Sequence, residues 1–148
     1  MENSYLSIAK DDYESMKILY EAKRYNHTVV LCQQACEKLL KSIIELTVDN
    51  CKSLLHSHNL RKLFDEVEGC ISLPEEMIFY LGTLSDFYID TRYPGDNYIK
   101  VTERDLNMSV KITEHLLNEV TRWHASFTKK NTDFDSLLEA AKLAKPTE

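Results

Sequence analysis

The sequence is poor in the residues that build tight turns. It holds only three glycines and three prolines among 148 residues. A β-sandwich or barrel needs frequent turns built on these residues, so their scarcity argues against a sheet protein. The hydrophobic content of 43% is ample for a core, and the length is that of one domain. The composition therefore predicts an all-α fold.

Signals for membrane insertion and secretion are also missing. No apolar run approaches the roughly 18 residues that a transmembrane helix needs. Residues 1–15 lack the basic-then-apolar pattern of a signal peptide. The net charge of −6 argues against a general nucleic-acid binder, which needs a basic surface, but it leaves room for one basic groove. We therefore expect a cytoplasmic protein.

The motifs of several enzyme classes are absent as well. The sequence has no Gly-rich phosphate loop, no His-Glu-x-x-His, no Gly-x-Ser-x-Gly and no Glu-x-x-His. The four cysteines form no Cys-x-x-Cys pair, and the histidines are not spaced around them as in a zinc finger. His56 and His58 bring two imidazoles close together, but no third ligand is indicated. We expect free thiols that pack as small hydrophobes, no bound metal and no cofactor.

The sequence does contain a long amphipathic stretch, residues 29–47 (VVLCQQACEKLLKSIIELT). Its apolar and small residues recur at spacings of three and four, which predicts a helix with a wide apolar face. At 1.5 Å per residue this helix spans about 28 Å, enough to cross a small domain. The polar residues that fall between the apolar positions are Gln33, Gln34, Glu37, Lys38 and Lys41. The pattern predicts the central helix of a bundle, with these residues on its polar side.

Other periodic segments predict three more main helices and a short one. The main helices cover residues 4–22, a segment from 72–74 to a stop at Pro94, and residues 102–127. The short helix opens at His58, after a connection over residues 51–57. We expect an antiparallel up-and-down bundle of four main helices with one short additional helix, within residues 1–128. Residues 129–148 form a polar C-terminal extension, in which residues 135–144 are compatible with a short appended or induced helix.

Bundle packing is expected to gather one set of polar and aromatic side chains. In one interpretation they are ordinary ion pairs on a solvated face. In the other they line a groove in which Lys and Arg hold phosphates and Tyr stacks on a base. Arg92 is the best single candidate, because it lies beside Pro94 and its planar guanidinium suits a phosphate. The candidate ligand-binding residues are Glu37, Lys38, Lys41, His58, Tyr88, Arg92 and Tyr93.

Three segments carry a resemblance to a known family. They are residues 31–41 (LCQQACEKLLK), 58–60 (HNL) and 91–94 (TRYP). Their order and spacing resemble the HEPN domain, a helical domain named for proposed nucleotide binding, over roughly residues 5–127. The resemblance implies an antiparallel bundle of four or five helices that is often dimeric, and hence a homodimer.

The family's catalytic motif is not found in this chain. Many HEPN proteins are metal-independent RNases, often toxins, in which an Arg is followed after four to six residues by a His and two such motifs meet across a dimer. No arginine here has a His at that distance, and Tyr98 and Ile99 stand where the His after Arg92 is expected. Members that carry Arg-Tyr-Pro instead are typically small chains paired with a minimal nucleotidyltransferase in toxin–antitoxin-like modules. The resemblance implies that this chain is such a partner subunit.

Three functions are therefore open. The first is a non-catalytic HEPN protein that binds a nucleotide, a nucleotidyltransferase partner, or both. The second is a metal-independent RNase toxin of atypical geometry, using Arg92 and His58. The third is a helical protein–protein adaptor, with the aromatic residues of 88–98 as interface anchors.

Overall fold

The computed structural model describes residues 4–90 and 100–143, and these fold into six helices with no strand. The prediction of an all-α bundle is confirmed. Among these residues no helix is both long and apolar enough to cross a membrane. The helices are α1 (Tyr5–Glu21), α2 (Tyr25–Thr47), α3 (Lys52–Leu55), α4 (Leu60–Val67), α5 (Glu75–Asp90) and α6 (Glu103–Leu143).

The central element is α2, as its long amphipathic pattern predicts. It contacts α1, α3, α4, α5 and α6. Because α2 is covered on several sides, most of its apolar face is buried in the core, with side chains from α1, α4, α5 and α6 packed around it. Leu46, near its end, is 48% exposed. The α2 part of the core consists of Val29, Cys32, Ala35, Cys36, Leu39, Leu40, Ile43 and Ile44.

Short polar side chains cap the N-termini of two of the long helices. The Ser4 hydroxyl accepts a hydrogen bond from the Ser7 amide (3.1 Å), and the Ser7 hydroxyl accepts one from the Ser4 amide (3.1 Å). Thr102 and Asp105 form the same reciprocal pair at the start of α6, at 3.1 and 3.3 Å. Both pairs satisfy amides that have no partner in the first turn, so they fix where the helices begin.

The two buried thiols of α2 behave as core atoms. Cys32 and Cys36 are fully buried, and the Cys36 sulfur lies 3.4 Å from the hydroxyl oxygen of Thr113 on α6. Burial raises the pKa of Cys32 to about 12 and also raises the pKa of Cys36. Both thiols therefore stay protonated at neutral pH, and the expectation of free, packed thiols is confirmed for them.

Two segments differ from the sequence prediction. The connection expected over residues 51–57 contains the single helical turn α3, whose Leu54 and Leu55 pack against the core. The polar C-terminal segment is not a separate short helix, because α6 continues without a break to Leu143. No Gly or Pro occurs between residues 103 and 143, and polar residues alone do not end a helix. The division of the chain into two parts at residue 128 stays a prediction.

Candidate functional site

The buried carboxylate of Glu37 organises a polar cluster on α2. It accepts hydrogen bonds from three side chains: Gln33 Nε2 at 3.1 Å, Lys41 Nζ at 3.0 Å and His58 Nδ1 at 2.8 Å. Glu37 is 9% exposed and Lys41 is 4% exposed. A buried charge is tolerated only when it is paired and hydrogen-bonded, and Glu37 and Lys41 meet that condition through each other.

The helical spacing explains why three of these groups meet. Gln33, Glu37 and Lys41 follow one another at intervals of four, so they lie along one face of α2, one turn apart. A carboxylate has no donor, so the Gln33 amide must turn its NH₂ toward Glu37. The carbonyl oxygen of Gln33 then points away and has no hydrogen-bond partner among residues 4–90 and 100–143.

His58 reaches the cluster from the residue before the cap of α4. Asn59 caps α4 by accepting a hydrogen bond from the Lys62 amide at 3.1 Å. The Leu60 amide donates to the Ser85 hydroxyl of α5 at 2.9 Å, so the start of α4 is held against α5. The backbone that follows His58 is thus fixed at the start of α4. The His58 ring lies 5.9 Å from the Tyr88 ring, with 11° between the two planes.

The hydrogen bond to Glu37 determines which nitrogen of His58 carries a proton. Since the carboxylate only accepts, Nδ1 of His58 must donate. In the neutral imidazole, Nε2 is then the basic nitrogen. The His58 side chain is 67% exposed, so Nε2 is placed at the surface of the bundle. An imidazole held this way accepts a proton at Nε2, or donates a hydrogen bond to an anion once it is protonated.

Tyr5 lies close enough to the cluster for the charge of Glu37 to affect the pKa of its phenol. Burial raises the pKa of the Tyr5 phenol, and the negative charges of Glu45 and Glu37 raise it further. Tyr5 belongs to the first turn of α1, which therefore packs beside the second half of α2. The cluster is bordered by helices on more than one side, although its His58 end is open to solvent.

The structure brings together four of the seven candidate residues: Glu37, Lys41, His58 and Tyr88. Lys38 does not join them, because its ammonium forms an ion pair with Asp12 of α1. Successive residues of a helix point about 100° apart, so Lys38 faces a different neighbour from Glu37. The expectation that Lys38 shares the groove with Glu37 and Lys41 is not met by this packing. Arg92 and Tyr93 lie outside the described residues.

Three of the five residues predicted for the polar side of α2 are covered by other parts of the chain. Gln33, Glu37 and Lys41 are buried. Gln33 was not among the candidate site residues, yet it holds the carboxylate at the centre of the cluster. The four-residue spacing places Gln33, Glu37 and Lys41 on one face of α2. The same spacing is common on solvated helix faces, so the sequence alone does not single out this set.

Two features limit what else the site holds. Within residues 4–90 and 100–143 there is no group of three or more His, Cys, Asp or Glu side chains arranged to hold a metal ion. His56, the second imidazole of the His-Ser-His sequence, is exposed at the end of α3, and among the residues described its side chain forms no hydrogen bond or ion pair with the cluster. The two imidazoles thus have separate surroundings, and only His58 is held by a carboxylate.

Comparison with protein families matches residues 3–123 to the model described as the HEPN domain. No curated protein and no solved structure matches the chain. The matched range covers most of the chain, including every member of the cluster, and it ends before the last part of α6.

Proposed function

The chain belongs to the HEPN family, and from this premise we propose that it is a non-catalytic HEPN protein that binds a nucleotide at the Glu37 cluster and acts as the partner subunit of a minimal nucleotidyltransferase. The observation that carries the proposal is the hydrogen bond from Nδ1 of His58 to the Glu37 carboxylate, at 2.8 Å. It presents a fixed imidazole at the surface, beside the flat ring of Tyr88. These are the two kinds of group that a nucleotide needs: an imidazole that donates to phosphate once Nε2 is protonated, and an aromatic face near the base.

The charges of the cluster favour an anionic ligand. Lys41 neutralises Glu37, so protonation of His58 leaves one net positive charge at the open end. Arg92, whose Arg-Tyr-Pro sequence motivated the resemblance, is the second cation that we assign to the ligand. The absence of the Arg-x4-6-His motif in the sequence supports a binding role over cleavage.

Calorimetry with ATP and GTP tests the nucleotide part. We expect binding at millimolar or lower concentration, weakened about tenfold or more by His58→Ala, since a hydrogen bond to a charged group contributes about 1.5–3 kcal/mol. His56→Ala is the matched control, because His56 is an exposed histidine two residues away, and it should leave binding unchanged. If neither nucleotide binds at millimolar concentration, or if His58→Ala binds as well as the wild type, this part of the proposal is wrong.

The partner part has its own experiment. The tagged chain is retrieved from its native cell, and the retained proteins are identified by mass spectrometry. A small nucleotidyltransferase among them supports the proposal. Its absence, in a preparation that still binds nucleotide, contradicts the pairing and leaves a nucleotide-binding homodimer as the function.

One observation favours a metal-independent RNase as a second candidate. Glu37 leaves Nε2 of His58 available for proton transfer, which is what a general base in RNA cleavage requires. This candidate predicts cleavage of RNA without added metal, lost in both His58→Ala and Arg92→Ala. RNA that stays intact during incubation with the pure wild-type protein removes it.

A further inference from the structure

The exposed side of α5 contains a large apolar side chain that the core does not use. Phe79 is 74% exposed, whereas Leu81 and Phe87 of the same helix are buried. A single exposed apolar residue is ordinary on a protein surface, so its surroundings decide whether it has a role. Phe79 borders a groove of about 370 Å³ between α5 and α6, which is also lined by Tyr80 of α5 and Met108 of α6. It is therefore part of an apolar depression rather than an isolated ring.

One wall of this groove is fixed by hydrogen bonds. The Tyr80 hydroxyl donates to the Asp105 carboxylate of α6 at 2.6 Å, and the amide and hydroxyl of Thr102 donate to the same carboxylate. Because the protein itself supplies these contacts, a ligand does not have to order the wall. Met108, on the next turn of α6, adds a flexible thioether that adapts to ligands of different shape. Aromatic residues and Met are enriched in protein–protein interfaces, so the groove has the lining of a protein-binding site.

A glycine lies beside Phe79 on the exposed side of α5. Gly82 follows Phe79 by three residues, about one turn. A glycine inside a helix is less favourable than an alanine, and it is used where another backbone approaches closely. Among the described residues nothing makes that approach, since a Cβ added at Gly82 would meet no side chain and no neighbouring element within 4 Å. The fold therefore leaves bare backbone exposed next to Phe79, with space for a helix of another molecule.

The charge of this side of α5 is acidic. Glu75, Glu76 and Asp86 are exposed, and α5 contains no Lys or Arg. None of the three forms an ion pair within residues 4–90 and 100–143. Arg104, on the α6 rim, is the one cation among the residues that line the groove. A complementary ligand therefore carries basic residues on both sides of an apolar one, whereas a second copy of the same face would oppose like charges. The exposed residues that form this surface, which we call the α5 face, are Glu75, Glu76, Phe79, Gly82, Thr83 and Asp86.

The α5 face lies on the opposite side of α5 from the Glu37 cluster. Tyr88, the α5 member of the cluster, follows Phe79 by nine residues. At about 100° per residue, nine residues correspond to half a turn of the helix circumference, so the two rings point in opposite directions. A ligand on the α5 face and a nucleotide at the cluster therefore do not compete for space.

We propose that the α5 face docks a basic amphipathic helix of a partner protein. An apolar side chain of that helix packs against Phe79 and Met108 in the groove, and its backbone crosses α5 at Gly82. Its Lys or Arg side chains reach the carboxylates of Glu75 and Asp86 at the two ends of the face. The inference goes beyond the proposed function, because it rests on neither nucleotide binding nor a nucleotidyltransferase.

Fluorescence anisotropy with two synthetic peptides tests the surface. The first is an amphipathic helix of Leu, Ala and Lys, about 18 residues or five turns long, and the second has Glu in place of each Lys. We expect the full chain to bind the basic peptide at least about tenfold more tightly than the acidic one, and Phe79→Ala to lose about tenfold or more of that affinity. Ile18→Ala is the matched control, because Ile18 is an exposed apolar residue (68%) on α1, and it should bind as the wild type does.

Three results would overturn the inference. They are no binding of the basic peptide at millimolar concentration, equal binding of the two peptides, and a Phe79→Ala variant that binds the basic peptide as the wild type does. Circular dichroism checks that the variants keep their helices. ATP titration of Phe79→Ala should match the wild type, so a failure here is distinguishable from a failure of the nucleotide site.

Gly82→Ala tests where the partner helix crosses, and its two expected effects are opposite in sign. The substitution should raise the Tm, because alanine favours the helix and the added Cβ meets no neighbouring element. It should also raise the dissociation constant of the basic peptide several-fold, because the Cβ keeps the two backbones apart. A variant with a higher Tm that binds the basic peptide as tightly as the wild type would show that no helix crosses α5 at Gly82.

Discussion

Lys38 and Lys41 lie three residues apart on α2, and each forms an ion pair in a different environment. Lys38 bridges to Asp12 of α1, with side-chain exposures of 24% and 16%. Lys41 pairs with Glu37 of its own helix, at 3.0 Å, and both side chains are nearly removed from solvent. The first pair joins two helices, whereas the second joins two turns of one helix.

The difference separates a structural ion pair from one that positions another group. A pair within one helix adds no tertiary link, and burying it requires both ions to leave water. What Glu37 adds is its hydrogen bond to His58, which comes from a distant part of the chain. We therefore read Asp12–Lys38 as a contact between helices and Glu37–Lys41 as the support of an oriented imidazole.

The largest expected effect comes from breaking the buried pair on one side only. Glu37→Leu leaves the Lys41 ammonium buried without a counter-charge and His58 without its acceptor. We expect the free energy of unfolding to fall by about 3–5 kcal/mol, measured by urea denaturation. A loss below 1 kcal/mol would mean that Lys41 reaches water without its partner, and that the pair is not buried in solution.

The equivalent change in the bridging pair should have a smaller effect. In Asp12→Leu the Lys38 ammonium turns toward solvent, so only the ion pair is lost, and we expect a decrease of about 1 kcal/mol or less. Glu14→Leu serves as the control, because Glu14 pairs with Lys17 on the exposed side of α1. If Asp12→Leu destabilises the protein as much as Glu37→Leu does, the contrast between the two pairs fails.

A third polar contact of α2 adds a dependence on pH. Nε2 of His124 on α6 lies 2.8 Å from the Ser42 hydroxyl, which itself donates to the Leu39 carbonyl. Burial, and then the nearby Lys10 of α1, lower the pKa of His124 below its usual value of 6.5. The unfolded chain therefore takes up this proton at a higher pH than the folded chain does.

Stability should consequently fall as the pH drops through about 6.5, and His124 should have no effect above about pH 7.5. His124→Gln keeps a donor for Ser42 but does not titrate. We expect its unfolding free energy to fall less than that of the wild type between pH 7.5 and 5.5, as measured by denaturant titration at each pH. Parallel profiles for the two proteins would contradict this role of His124.

The fold was predictable because the helices follow from local patterns. The periodicity of residues 29–47 identifies α2, and the polar starts at Ser4 and Thr102 mark where α1 and α6 begin. The same local rules place the buried thiols on the core face. The turn α3 was missed because a single helical turn has too few residues to show a period.

The site was predictable only in part, because it depends on which elements cover α2. Periodicity separates the apolar face from the rest, but it does not show that Gln33, Glu37 and Lys41 are covered while Lys38 turns to α1. Glu37 and His58 were named as candidates, but their hydrogen bond requires the cap at Asn59 and its attachment to α5. These are tertiary contacts, and a single sequence does not display them.

Removing both charges of the buried pair should have the smallest effect on stability and the clearest effect on His58. Glu37→Leu/Lys41→Met leaves no ion unpaired, and replacing a buried pair by apolar side chains is often neutral, so we expect a change within about 1 kcal/mol of the wild type. The imidazole nevertheless loses its acceptor. In nuclear magnetic resonance spectra the Nδ1 proton of His58 should exchange faster with water, and ATP should bind as weakly as it does to His58→Ala.

A double variant as unstable as Glu37→Leu would mark the pair as structural. Normal stability with intact binding would show that His58 is oriented by its backbone and by Tyr88, since the buried carboxylate would then be dispensable for both.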